Sequence, residues 1–211
     1  MKQVIIFDLD STLVESKKVH YIAYQKAFEK NHLKKYPDRV VKKQIKYTGT
    51  KIIKNLYPSI KKAQATKIIE DYFDFVNKET YKYAKSFPKV LPLLLSLSKH
   101  YKLAIVTNCR SNNILPILTA AKIHPIFFDI IVGRTDVKQG KPSPEGINLV
   151  KNKLKLNKGY MIGDSVCDIM AAKKANITSI GVLTGFSTKE ELEKEKPSHI
   201  IKSVKDIVKL L

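Results

Sequence analysis

Two aspartates one residue apart close the first apolar run of the chain, where residues 4–7 (VIIF) lead directly into Asp8-Leu9-Asp10. Side chains alternate along a strand, so Asp8 and Asp10 point to one side and Leu9 to the other. Two carboxylates held that close repel unless a cation or a proton is shared between them. A second acidic cluster, Gly163-Asp164-Ser165-Val166-Cys167-Asp168, follows another apolar run, with Asp168 four residues after Asp164 on the same side of the helix expected there. If the two strands are neighbours, Asp8 and Asp164 converge, and several aspartates in one pocket require a cation. An all-oxygen donor set with few protein ligands suits Mg²⁺, which keeps waters and takes phosphate oxygens as partners. Helix capping by Asp164 or Ser165 accounts for one acid but not for both clusters.

Two further segments suit an anion. Thr107 and Asn108 end the run KLAIVTN and offer a hydroxyl and an amide, although Thr-Asn after a strand is also ordinary turn chemistry. Lys141, in GKPSPE, precedes a helix start whose predicted N-cap is Ser143, with Pro144 at the first helical position. A lysine there adds to the positive end of the helix dipole, which is costly unless an anion binds.

The elements that must position these residues fall into two patterns. From residue 88 onward, short apolar strands alternate with helices, the rhythm of a parallel sheet covered on both faces. Between 15 and 86 only helical periodicity is visible, with a first helix carrying His20, Tyr21, Tyr24, Ala27 and Phe28 on one face and a long one over about 59–84. The chain therefore reads as an α/β protein. Its core is a Rossmann-like parallel sheet (residues 1–14 and 87–211), with an all-helical insert (residues 15–86) after the first strand.

With 211 residues and 44% hydrophobic content, the chain forms a core and is not disordered. The net charge is +20, and only Arg39, Arg110 and Arg134 among the 39 cationic residues are arginines. A dedicated nucleic-acid binder uses arginine forks, so a nucleic-acid-binding module using the basic insert is the lesser reading. The longest apolar stretch, VLPLLLSLS, is too short to span a bilayer, and no signal peptide is visible; a soluble cytoplasmic protein is expected, without a membrane partner. Cys109 and Cys167 have no metal-ligand spacing. His20 is expected at the surface or between helices.

In order and spacing, DLDST, VTN, Lys141 and GDSVCD resemble the four motifs of the haloacid dehalogenase superfamily, and the resemblance covers nearly the whole chain. Ser11 departs from it, standing where Gly is usual. The resemblance implies an aspartyl-phosphate on Asp8, with Asp10 as acid/base. Mg²⁺ would be held by the Asp8 carboxylate, the Asp10 main-chain carbonyl and Asp164, with Ser165 and Asp168 supporting them. Thr107, Asn108 and Lys141 would grip the phosphoryl oxygens. Aspartate at position 10 favours phosphatases and phosphomutases over dehalogenases. Gly163-Asp164-Ser165, in place of the mutase-like EDS, favours a phosphatase acting on a small metabolite, similar to phosphoglycolate phosphatases. A sugar phosphomutase and a nucleotide or pyrophosphate hydrolase are the alternatives. The insert resembles the family's helical cap, and Tyr47-Thr48-Gly49-Thr50-Lys51 its specificity loop, which places Thr48, Gly49 and Lys51 at the substrate's far end. In this family the strands before Cys109 and Cys167 flank the first strand, about 10 Å apart, which implies free thiols. A monomer is the expected state.

Overall fold

The computed structural model describes residues 3–45, 47 and 49–211. In chain order, β1 (Val4–Phe7) leads to the two-residue β2 (Val14–Glu15) and then to α1 (Lys17–Lys30), α2 (Asp38–Gln44), α3 (Gly49–Leu56) and α4 (Lys62–Lys78). A 3₁₀ turn at Thr80–Tyr83 precedes β3 (Lys85–Ser86), which pairs antiparallel with β2. The alternating part follows: α5 (Val90–Leu97), β4 (Lys102–Val106), α6 (Ser111–Ala120), β5 (Ile130–Val132), α7 (Glu145–Leu154) and β6 (Gly159–Gly163). It closes with α8 (Val166–Lys174), β7 (Thr178–Val182), α9 (Lys189–Lys194) and β8 (His199–Ile201).

Among the described residues, six strands form one parallel sheet in the order β5-β4-β1-β6-β7-β8, the α/β architecture expected. β1 lies inside the sheet and is buried along its whole length. Its residues alternate between two packed layers, Ile5 and Phe7 joining Leu103, Ile105 and Ile162 on one face, Val4 and Ile6 joining Ala104, Val106 and Met161 on the other. Burial on both faces is why the strands read as continuous apolar runs rather than alternating ones. Each such side chain contributes roughly 1.5–3 kcal/mol, and a parallel order keeps all the strand carboxyl ends on one edge.

Three local features differ from expectation. The short strands β2 and β3 were not legible, because two residues carry no period. The stretch over 59–84 is split: α4 ends at Lys78 and a 3₁₀ turn follows. α7 begins at Glu145 rather than Pro144. The Glu145 carboxylate accepts the backbone N–H groups of Lys138 (2.8 Å) and Gln139 (2.9 Å), and this folds the preceding loop back onto the helix start. Among the described residues no helix is long and apolar enough to cross a membrane.

Candidate active site

The sheet edge gathers the acidic residues. The Asp8 amide donates to Ile162 O at 2.8 Å, so the pairing of β1 with β6 continues through the first aspartate and brings it beside Asp164. Oxygens of Asp8, Asp164 and Asp168 lie within 4.8 Å of one another, and all three residues are buried. Lys141 joins two of them: its Nζ is 2.7 Å from Asp8 Oδ1 and 2.6 Å from Asp168 Oδ1. The other Asp168 oxygen accepts from the amide (2.9 Å) and hydroxyl (2.6 Å) of Ser165. With both oxygens engaged, Asp168 anchors the lysine. The ammonium thus answers to carboxylates across the sheet edge and not to the adjacent helix start, which corrects the dipole argument for its position.

Asp164 is fixed from the loop after β7, where Phe186 N donates to its Oδ2 at 3.2 Å. A Cβ on Gly185 would lie 1.7 Å from that same oxygen, so this close approach needs glycine.

Electrostatics agree with the geometry. Burial, opposed by Lys141 and reinforced by Asp168 and Asp10, pushes the Asp8 carboxyl up to about 6. Burial and then Asp8 and Asp168 push Asp164 well above the carboxylate range. Burial works against the charge on Lys141, but Asp168 and Asp8 outweigh it and raise its pKa. Asp8 and Asp164 thus share more negative charge than one lysine offsets. Each keeps a carboxylate oxygen that accepts no hydrogen bond among the described residues. The oxygen-only donor set and this uncompensated charge fit a hard divalent cation.

Asp10 has a different environment. His20 Nε2 lies 2.9 Å from Asp10 Oδ1, and its Nδ1 lies 2.7 Å from the Tyr72 hydroxyl on α4. With Nε2 donating to the carboxylate, Nδ1 accepts from or donates to the tyrosine hydroxyl according to whether the ring is neutral or protonated. Burial pushes the Asp10 carboxyl up, but His20, helped by Ser16 and Lys141, outweighs it and the pKa falls below the ordinary value. His20 therefore bridges α1 and α4, the interhelical placement expected, and through Asp10 it also reaches the site. Its partners Asp10 and Tyr72 are 10 and 52 residues away, so no local pattern could announce it.

A cavity of about 1050 Å³ lies between this edge and the helices of the insert. It collects Asp8, Asp10, Thr107, Asn108, Lys141, Asp164 and Ser165 from the sheet side, and Gly49 and Lys51 from α3. Thr107 is buried and accepts the Cys109 N–H; Asn108 donates to the Lys141 carbonyl at 2.9 Å. Asp168 sits behind the others and is fully buried. Thr48 lies outside the described residues. Cys109 and Cys167 follow β4 and β6, which flank β1 on opposite sides, and both are free thiols.

Fold and site together define a doubly wound α/β protein whose strand ends hold an aspartate cluster tied to one lysine. The family model described as "Haloacid dehalogenase-like hydrolase" matches residues 5–182, and the chain belongs to that family. It is 31% identical to a phosphoglycolate phosphatase of Aquifex aeolicus, over 99% of this chain and 96% of that protein. It is 24% identical to the pyrophosphatase PpaX of Oceanobacillus iheyensis, again over 99% of this chain and 96% of that one. Among solved structures, a hydrolase from Pseudomonas syringae superposes with a TM-score of 0.83 at 25% identity, covering 99% of this chain and 97% of that one.

Proposed function

We propose that this protein is a Mg²⁺-dependent phosphatase that hydrolyses a small phosphorylated metabolite through an aspartyl-phosphate on Asp8, in the manner of phosphoglycolate phosphatases. The observation that carries the reading is the buried Asp8 carboxylate, held by Lys141 on one oxygen and lining a cavity beside Asp164. An oxygen of Asp8 attacks phosphorus, and the bond to the departing oxygen breaks as Asp10, which must enter the substrate complex protonated although His20 lowers its pKa in the free protein, gives that oxygen a proton. Asp10 then takes a proton from water, which attacks the aspartyl-phosphate, releases inorganic phosphate and restores Asp8. The Thr107 hydroxyl, the Asn108 amide and Lys141 face the equatorial oxygens, where charge spreads in the transition state. Asp8, Asp164 and the Asp10 carbonyl would hold the cation, with Asp168 and Ser165 behind them. When bound, Mg²⁺ neutralises the charge between the carboxylates and the incoming phosphoryl group.

In this reading residues 15–86 are a cap over a core of residues 1–14 and 87–211, and the cap excludes large substrates. We read the protein as a cytoplasmic monomer. Pyrophosphate is the second substrate to consider, because relatives named PpaX match along almost the whole chain.

The test is phosphate release from 2-phosphoglycolate, pyrophosphate, sugar phosphates and nucleotides, with and without Mg²⁺, beside Asp8→Asn. Turnover should require the metal and fall by several powers of ten in the variant, since the covalent step is removed. Retained turnover in Asp8→Asn refutes the mechanism. Transfer between sugar positions without phosphate release replaces it with a mutase.

A further inference from the structure

Arginine is the rare cation of this chain, 3 residues against 36 lysines. Arg39 is exposed on α2. The other two, Arg110 and Arg134, are partly buried and both line the cavity that holds Asp8. We infer that Arg110 and Arg134 form a subsite for a second anionic group on the substrate, a carboxylate or a second phosphoryl, which sets the enzyme's specificity. The inference rests on the phosphatase reading above and names the substrate class.

The two arginines hang from one braced corner. They follow the carboxyl ends of the paired strands β4 and β5, and Arg134 N donates to Cys109 O at 2.7 Å. The Thr135 hydroxyl donates to the Ser111 hydroxyl at 2.7 Å, and Thr135 Oγ1 accepts Ser111 N at 3.2 Å, so the segments are tied again just beyond.

Arg110 is also pre-positioned from the insert. Its guanidinium carbon lies 4.1 Å from the centre of the Phe73 ring. Asn113, one turn further along α6, donates to the Phe73 carbonyl at 3.1 Å and fixes the residue beneath the guanidinium. A guanidinium resting on an aromatic face keeps its N–H edge for a planar anion, which a lysine ammonium does not match. Arg134 uses one N–H on the Val137 carbonyl, 3.1 Å away.

Neither arginine has a carboxylate partner among the described residues, where the ion pairs are made by lysines and His20. The other cations of the cavity are differently engaged: Lys141 holds Asp8 and Asp168, and Lys51 lies 4.6 Å from the Tyr47 ring centre. Two guanidiniums with no ion pair among the described residues, Arg134 feeling only the more distant Glu145 carboxylate, fit an anion site where they line a cavity. A chain that elsewhere meets the need for positive charge with lysine has used the planar fork here, which points to a shaped ligand and not to solubility. The subsite lies on the sheet side, so the second anion is read mainly by the strand-end loops, with α4 serving as the platform.

The test uses Arg110→Met, which keeps an apolar stack on Phe73 and removes the charge, with Arg110→Lys and the Arg110→Met/Arg134→Met double variant. The readout is the ratio of kcat/KM for 2-phosphoglycolate, and for pyrophosphate, over glycerol 2-phosphate, whose far end is neutral. At least one ratio should fall by about tenfold or more in Arg110→Met, mainly through KM, and further in the double variant, with partial recovery in Arg110→Lys. Whichever ratio falls identifies the second anion as carboxylate or phosphoryl. In parallel, equilibrium binding compares phosphonoacetate with methylphosphonate, and the preference for the former should shrink by a similar factor. Melting curves establish that the variants are folded. Ratios and preference all within twofold of the unmodified protein overturn the subsite. If the unmodified protein hydrolyses none of the three substrates, the phosphatase reading is decided by the wider panel above, and the phosphonate comparison alone decides the arginine site.

Discussion

Ser11 takes φ 59° in the turn between Asp10 and Val14, the left-handed region that glycine enters freely. The residue is buried, and its hydroxyl has no hydrogen-bond partner among the described residues. The backbone strain costs roughly 1–2 kcal/mol and an unpaired buried hydroxyl a similar amount, while glycine gives part of this back as extra freedom in the unfolded chain. Ser11→Gly should therefore raise stability by about 1 kcal/mol, a Tm increase of roughly 2–4 °C for a chain of this size. A lower Tm by calorimetry contradicts the strain argument. The same turn shows what single residues reveal in the sequence. Asp8, Thr107 and Asp164 were legible because each ends an apolar run, so a strand end and a polar group coincide within a few letters. His20 and Arg110 were not, because the groups that give them meaning, Tyr72 and Phe73, belong to α4. Lys141 was found through its place before a helix, yet its partners, Asp8 and Asp168, are 133 and 27 residues distant.

Among the elements, the loop after β7 does more than join a strand to a helix. Thr184 Oγ1 donates to Ser11 O at 2.5 Å, Phe186 N holds Asp164, and Lys17 Nζ at the start of α1 donates to Gly185 O at 2.9 Å. One short segment thus touches the turn after Asp10, an acidic side chain and the first helix of the insert. Gly185→Ala drives a methyl group into the Asp164 carboxylate and should reduce phosphatase turnover by at least about a hundredfold, while the sheet, whose packing is elsewhere, still forms. Full activity in that variant would falsify the close-packing account. The parallel sheet was readable from the alternation of helices and strands, whereas the order β5-β4-β1-β6-β7-β8 was not, because pairing between distant strands leaves no local pattern. The start of α7 was misplaced by one residue because the Glu145 carboxylate captures two backbone N–H groups, a choice that propensity does not contain.

For the molecule as a whole, the net charge of +20 sets the response to salt. Between 15 and 88 there are 18 Lys or Arg residues against 7 Asp or Glu, so much of the excess sits on the insert. Self-repulsion of that kind opposes the compact state and is screened once the Debye length falls to about 10 Å, near 0.1 M salt. The Tm should rise as NaCl is increased from about 10 to about 200 mM; a fall means that attractive surface pairs dominate instead. The insert's attachment has a different consequence. Its chain leaves through Val14–Glu15 and returns through Lys85–Ser86, which are hydrogen-bonded neighbours. Departure and return occur at a single doorway, its two posts about 5 Å apart. Entry and exit at one point leave every strand of the six-stranded sheet uninterrupted, so a segment of another length can be spliced there without breaking the ladder that sets Asp8 beside Asp164.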